Sequence, residues 1–339
     1  MRRKAHNKLQ NNRWCANKAA YTAEVGKEIF AHPDLKPYAK YAMFNHEMGK
    51  FLFNKRLKWI CKLSGWSEKA ILFGLQRLAN IAEAKAQFVY RVYPETERRK
   101  DPTKEDVLVM HFKVDKKSPF VVVVAGGAYT SVCSMTEAFP VAAKLNELGY
   151  NAFVFNYRVG GEGIQPKPVD DLAQAVRYIR AHAQELNVDP DNYVVTGYSA
   201  GGNLVNLYCS DNLGYSKYGL PAPKACFPVY STSEVTRDAN PKRDRYNVTS
   251  FGKGYSDQIV EDYTVLKHLT KYPPAYIVAC RDDRVVPVEH SQKLADGLSA
   301  LGTPNRLELG NRGGHGFGLG IGTDVGGWLE RAIRFYESL

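Results

Sequence analysis

The stretch Tyr193-Val194-Val195-Thr196-Gly197-Tyr198-Ser199-Ala200-Gly201-Gly202 decides how this chain is read. An apolar, β-branched run leads into G-x-S-x-G, and the residues that follow suit a helix. A serine between a strand and a helix in this pattern sits on a nucleophile elbow. The turn is tight enough that side chains at its glycine positions would collide with the neighbouring strand or helix. It lifts the hydroxyl of Ser199 clear of the sheet and leaves the N–H of Ala200 at a helix start, where it can meet an oxyanion. The five-residue pattern alone is a weak signal, so its weight comes from what surrounds it.

Outward from the elbow, strands alternate with helices. Residues 119–124 are a continuous apolar run, as a strand buried on both faces should be. Residues 87–93, 107–114, 150–157, 193–195, 225–230, 275–279 and 306–309 read as further strands, with 95–106 a charged turn between the first two. Residues 136–148, 169–186, 200–209, 289–301 and 323–337 read as helices. The alternation predicts an α/β fold with a mostly parallel central sheet flanked by helices, and ligands bind such sheets at the carboxyl ends of their strands. Residues 232–266 interrupt the alternation and are expected to form a loop-rich insertion over that edge.

Serine is a poor nucleophile until a base takes its proton, and the base needs a third group to orient it. In sheets of this kind the chain order is serine, acid, histidine. Asp282 and Asp283 follow the strand 275–279, and the last strand leads to Gly313-Gly314-His315-Gly316-Phe317-Gly318. Order and placement fit Ser199, Asp283 and His315. Ahead of them, residues 119–124 end in Ala125-Gly126-Gly127-Ala128-Tyr129, where glycines let backbone N–H groups approach a carbonyl oxygen. Gly127 and Ala128 are the expected donors beside Ala200. The other seven histidines have no partner spacing.

These motifs together resemble the α/β-hydrolases, in the branch of small-acyl esterases that includes acetyl-xylan-esterase-like and hormone-sensitive-lipase-like proteins. The resemblance runs from about residue 87 to residue 339 and is carried by residues 125–129, 197–202, Asp283 with Val285-Val286-Pro287, and 314–318. It implies the α/β-hydrolase fold and favours Asp283 over Asp282, whose place lies one residue too early before Pro287. It implies a serine carboxylesterase acting on short, acetyl-like esters through an acyl-enzyme, without a metal or an organic cofactor. One departure stands out: the family often has His-Gly-Gly-Gly or Pro-Gly-Gly-Gly at the oxyanion loop, and this chain has Ala125-Gly126-Gly127-Ala128. Gly126, Tyr129, Tyr198 and Phe317 are the expected substrate contacts. Two other readings stay open: a prolyl-peptidase-like serine peptidase, and a non-catalytic binding protein on the same fold.

Composition bounds the remainder. The 339 residues carry a net charge of +11, unevenly placed. Residues 1–104 hold 22 Lys/Arg against 9 Asp/Glu, whereas residues 105–339 hold 24 against 26. The basic excess marks residues 1–86 as a separate helical segment, with amphipathic helices expected over 50–63 and 67–86. It fits a lid or cap over the active-site edge, an amphipathic surface on anionic membrane, or a helical pair with a solvated basic face. No nucleic-acid-binding motif accompanies the charge. The longest apolar runs are strand-sized, so no transmembrane span is expected. Met1-Arg2-Arg3-Lys4 is followed by polar residues rather than an apolar signal core, which predicts a cytoplasmic protein with reduced cysteines.

Overall fold

The computed structural model describes residues 33, 35–45, 61, 66–238 and 244–339. The amphipathic helix expected over 50–63 lies outside them except for Cys61. The described helices and strands, in chain order, are α1 (Glu68–Glu83), β1 (Val89–Arg91), α2 (Glu95–Lys100), β2 (Leu108–Phe112), β3 (Ser118–Val124), α3 (Ala138–Glu147), β4 (Asn151–Asn156), α4 (Lys167–Ala181), α5 (Ala183–Leu186), β5 (Val188–Tyr198), α6 (Ala200–Cys209), β6 (Ala225–Val229), α7 (Arg245–Phe251), α8 (Asp257–Tyr263), β7 (Ala275–Cys280), α9 (Glu289–Ala300), β8 (Asn305–Gly310) and α10 (Trp328–Glu337).

The eight strands form one sheet in the order β1-β2-β4-β3-β5-β6-β7-β8. β1 and β2 pair antiparallel, as do β2 and β4, and every later pairing is parallel. This is the α/β-hydrolase architecture, a mostly parallel sheet with helices against it. The central strand β3 is apolar because helices cover both of its faces: Phe120 through Val124 are wholly buried. Chain order reverses at β3, whose neighbours are β4 on one side and β5 on the other. Such a switch point opens a crevice at the carboxyl end of the sheet. The register Val124↔Gly197 brings the ends of β3 and β5 side by side in that crevice.

Two local expectations are corrected. The charged turn over 95–106 contains α2, with Arg99 paired to Glu95 one turn earlier at 2.5 Å and Arg98 donating to the Tyr93 carbonyl. The helix expected over 169–186 breaks at His182 into α4 and α5. The insertion at 232–266 carries two short helices, α7 and α8, between its loops, and Phe251 packs its ring on Tyr255 and Tyr263.

The described part of the N-terminal third packs on the sheet domain. Ser67 caps α1 by accepting from the Ala70 N–H, and Ile71, Leu75 and Leu78 are buried on one face of it. Among the described residues, no helix is long and apolar enough to cross a membrane.

Candidate active site

The elbow is built as its glycines demand. Ser199 has φ 53° and ψ −121°, a strained conformation for a residue with a side chain. A Cβ on Gly197 would lie 2.2 Å from the Gly201 carbonyl oxygen, and one on Gly201 would lie 2.3 Å from the Val124 carbonyl oxygen. Only bare backbone fits where helix, nucleophile strand and β3 meet. Ser199 is the N-cap of α6, so the helix's positive end faces the site.

The sheet's carboxyl edge brings the three separated residues into one hydrogen-bonded chain. His315 Nε2 lies 2.9 Å from Ser199 Oγ, and His315 Nδ1 lies 2.8 Å from Asp283 Oδ2. Asp283, on the loop after β7, has its side chain only 1% exposed, while that of His315 is 19% exposed. The second oxygen of Asp283 accepts from the N–H groups of Val285 and Val286 at 2.8 and 2.9 Å, which fixes the carboxylate. Asp282 does different work. Its carboxylate accepts from the N–H groups of Gly313 and Gly314, tying the loop that carries His315 to the end of β7.

The loop after β3 folds over the serine. Gly127 has φ 134°, and a Cβ there would lie 2.2 Å from the Ser131 carbonyl oxygen, so no other residue fits. Ala128 and Tyr129 follow with φ 53° and 57°. Tyr157 donates to the Ala125 carbonyl at 2.8 Å, which anchors the position where the family often has histidine or proline. Gly126 donates to Glu137 at 2.6 Å.

Of the expected substrate contacts, Tyr129 and Tyr198 are buried. Tyr129 donates to Asn203 at 2.9 Å. The Tyr198 ring lies among the core aromatics Tyr230 and Trp328. Phe317 sits edge-on to Tyr230, whose ring centre is 4.9 Å from that of His315. N-terminal residues frame the same edge. Phe44 and Val132 exchange backbone hydrogen bonds, Ala42 accepts from the Met135 N–H, and Asn45 donates to the Thr130 carbonyl. Trp66 stands so close to Gly316 that a Cβ there would lie 3.1 Å from its Nε1.

Glu137 escaped the sequence reading. It is buried, and burial pushes its carboxyl above the usual carboxylate range, against the opposing pull of its hydrogen bonds and of nearby His315. In the sequence it is an ordinary acid at the start of a helix, and no local signal separates it from a solvent-facing one.

The sequence model of the family described as BD-FAE matches residues 108–298, more than half of the chain. An acetylxylan esterase of Xylanibacter ruminicola is 29% identical over 225 residues, 62% of this chain and 45% of that protein. The carboxylesterase NlhH of Mycobacterium tuberculosis is 36% identical over 183 residues, 49% of this chain and 56% of that one. Among solved structures, an acetyl ester-xyloside bifunctional hydrolase from Caldicellulosiruptor lactoaceticus superposes with a TM-score of 0.64 at 26% identity, covering 74% of this chain and 95% of that one. The chain spans about half the length of the curated relatives it matches.

Proposed function

The chain belongs to the BD-FAE family, and from that premise we propose that it is a serine carboxylesterase of short-chain, acetyl-like esters. The observation that carries the proposal is the chain of hydrogen bonds Ser199–His315–Asp283 beside the backbone of Gly127, Ala128 and Ala200. The acetyl esters in the names of two of its relatives support the short acyl group.

In the proposed reaction, His315 Nε2 takes the proton of Ser199 Oγ as that oxygen attacks the ester carbonyl carbon. The N–H groups of Gly127, Ala128 and Ala200 hold the oxyanion. Asp283 keeps the Nδ1–H tautomer of His315 and stabilises the imidazolium as it forms. Collapse breaks the bond to the alkoxy oxygen, which leaves as the alcohol with the proton from His315. Water then gives a proton to His315 and adds to the acyl carbon, and collapse frees the acid and restores Ser199. Phe317 borders the substrate, while Gly126, Tyr129 and Tyr198, all buried, support the site from the core side. The described residues 42–45 and Trp66 cap the edge of the site. The reaction belongs in the cytoplasm, where the buried thiols of Cys209, Cys226 and Cys280 stay reduced.

The test is hydrolysis of p-nitrophenyl esters from acetate to palmitate by the wild type and Ser199→Ala. Rapid acetate or butyrate turnover that is absent from the variant is the expected result. Turnover of long chains alone would overturn the short acyl assignment, and no Ser199-dependent turnover would overturn the esterase.

A further inference from the structure

We infer that Glu137 is a positioning residue for this reaction: its carboxylate ties the oxyanion loop to the histidine loop and sets a fixed negative charge beside His315. The inference rests on the ester-hydrolase reading above.

Glu137 is the N-cap residue of α3 and is only 5% exposed. Its Oε2 accepts from the Gly126 N–H at 2.6 Å, and its Oε1 accepts from the Tyr230 O–H at 2.9 Å. The Tyr230 oxygen in turn accepts from the Gly318 N–H at 3.3 Å. One chain, Gly126–Glu137–Tyr230–Gly318, therefore runs under the site from the loop after β3 to the loop after β8. It spends the Gly126 N–H on the scaffold, which leaves the next two N–H groups for an oxyanion. The contact is close on all sides: a Cβ on Gly126 would lie 2.8 Å from Ser199 Cβ and 3.2 Å from Glu137 Oε2.

The charge is placed as deliberately as the hydrogen bonds. Burial raises the pKa of Glu137, and the two donors, one to each carboxylate oxygen, oppose that shift by favouring the ionised form. Both donors are neutral, so the charge is not spent on a cation. A buried, unpaired carboxylate is costly, and a neutral side chain of this shape would cost less. What the charge can offset is the positive charge that forms on His315 during the reaction. Among the described residues, Asp283, Ser199 and Tyr230 face the His315 ring, Glu137 acts on it through its charge, and Asp282 holds the backbone of Gly314 beside it. Around Glu137, burial holds the thiol of Cys133 and the phenols of Tyr157, Tyr198 and Tyr230 in their neutral forms. Among the described residues, the carboxylates of Asp283 and Glu137 are thus charges that bear on the imidazole.

The experiment compares wild type, Ser199→Ala, Glu137→Gln, Glu137→Ala and Tyr230→Phe on p-nitrophenyl acetate across pH. Glu137→Gln can still accept from Gly126 and can donate to the Tyr230 oxygen, so it removes the charge and keeps the bridge. Its kcat should fall about tenfold with KM within about twofold, and the acid limb of kcat/KM should move to lower pH. Glu137→Ala should lose about a hundredfold in kcat. Tyr230→Phe keeps the charge and breaks the bridge, so kcat should fall about fivefold with the acid limb unmoved. The positioning role is overturned if the wild type is active, Ser199→Ala is not, and Glu137→Gln keeps wild-type kcat with an unmoved acid limb. It is also overturned if Glu137→Gln and Glu137→Ala do not fold and Tyr230→Phe keeps wild-type kcat. An inactive wild type overturns the esterase reading itself, and this inference with it.

Discussion

Asp282 and Asp283 adjoin in the chain and hold the same loop at different points: Asp283 Oδ2 lies 2.8 Å from His315 Nδ1, while Asp282 Oδ1 accepts from Gly314 N–H at 2.8 Å. One carboxylate orients the ring and the other orients the backbone that carries it. Removing the first leaves the imidazole free to take the wrong tautomer, so Asp283→Asn should cut kcat by about ten-thousandfold on p-nitrophenyl acetate. Asp282→Ala loosens the loop but leaves the ring its partner, and about a tenfold loss in kcat is expected. Equal losses in the two variants would contradict this division of labour.

Gly127 tests the oxyanion loop without touching an acid–base group. A methyl group there meets the Ser131 carbonyl at 2.2 Å and also requires φ 134°, so the turn must move. Displacing even one donor from an oxyanion costs on the order of a hundredfold in kcat. Gly127→Ala should show that loss with little change in KM. Wild-type kcat in this variant would remove Gly127 and Ala128 from the proposed mechanism.

Which parts of this arrangement could be read from residues alone follows from how local their causes are. β3 announces itself because a strand covered on both faces must be apolar throughout. The elbow announces itself because sterics permit only glycine at its contacts. Ser199, Asp283 and His315 each follow a strand directly, so the topology carries them to one edge. β5 was expected over 193–195 but begins at Val188, since its first half is polar and only partly buried. α2 was hidden because no apolar stripe organises it, and local charge pairs form much of its support. α7 and α8 were hidden because their aromatics pack on one another rather than along a helical stripe. Glu137 was hidden because its partners come from residues 126 and 230, and nothing nearby in the chain reports them.

The N-terminal helix α1 yields a stability prediction. A Cβ on Gly74 would lie 2.5 Å from the backbone nitrogen of Pro140 in α3, a contact that cannot be relieved by a rotamer change. Gly74→Ala should therefore destabilise the protein by about 1–3 kcal/mol. Leu78, wholly buried on the same helix, should cost about 2–5 kcal/mol as alanine. Urea unfolding reads both. Unchanged midpoints in the two variants would mean that α1 does not pack against α3 in solution.

His111 makes stability depend on pH. Its ring stacks on Phe153 at 4.3 Å, and its Nε2 lies 2.8 Å from Asn151 Oδ1. Burial pushes its pKa down to about 4, against a smaller upward pull from Asn151. In the unfolded chain the same group titrates near 6.5, its ordinary value. Between those two values the unfolded chain binds a proton that the folded chain refuses, so stability falls as pH falls through this window. From pH 7.5 to pH 5 the loss from this one group is about 2 kcal/mol. His111→Gln keeps a hydrogen-bond donor toward Asn151 but cannot titrate. Urea unfolding at the two pH values should show the wild type losing about 2 kcal/mol more than the variant. Equal losses would mean that His111 is free to protonate within the fold, and that its burial between Phe153 and Asn151 does not persist in solution.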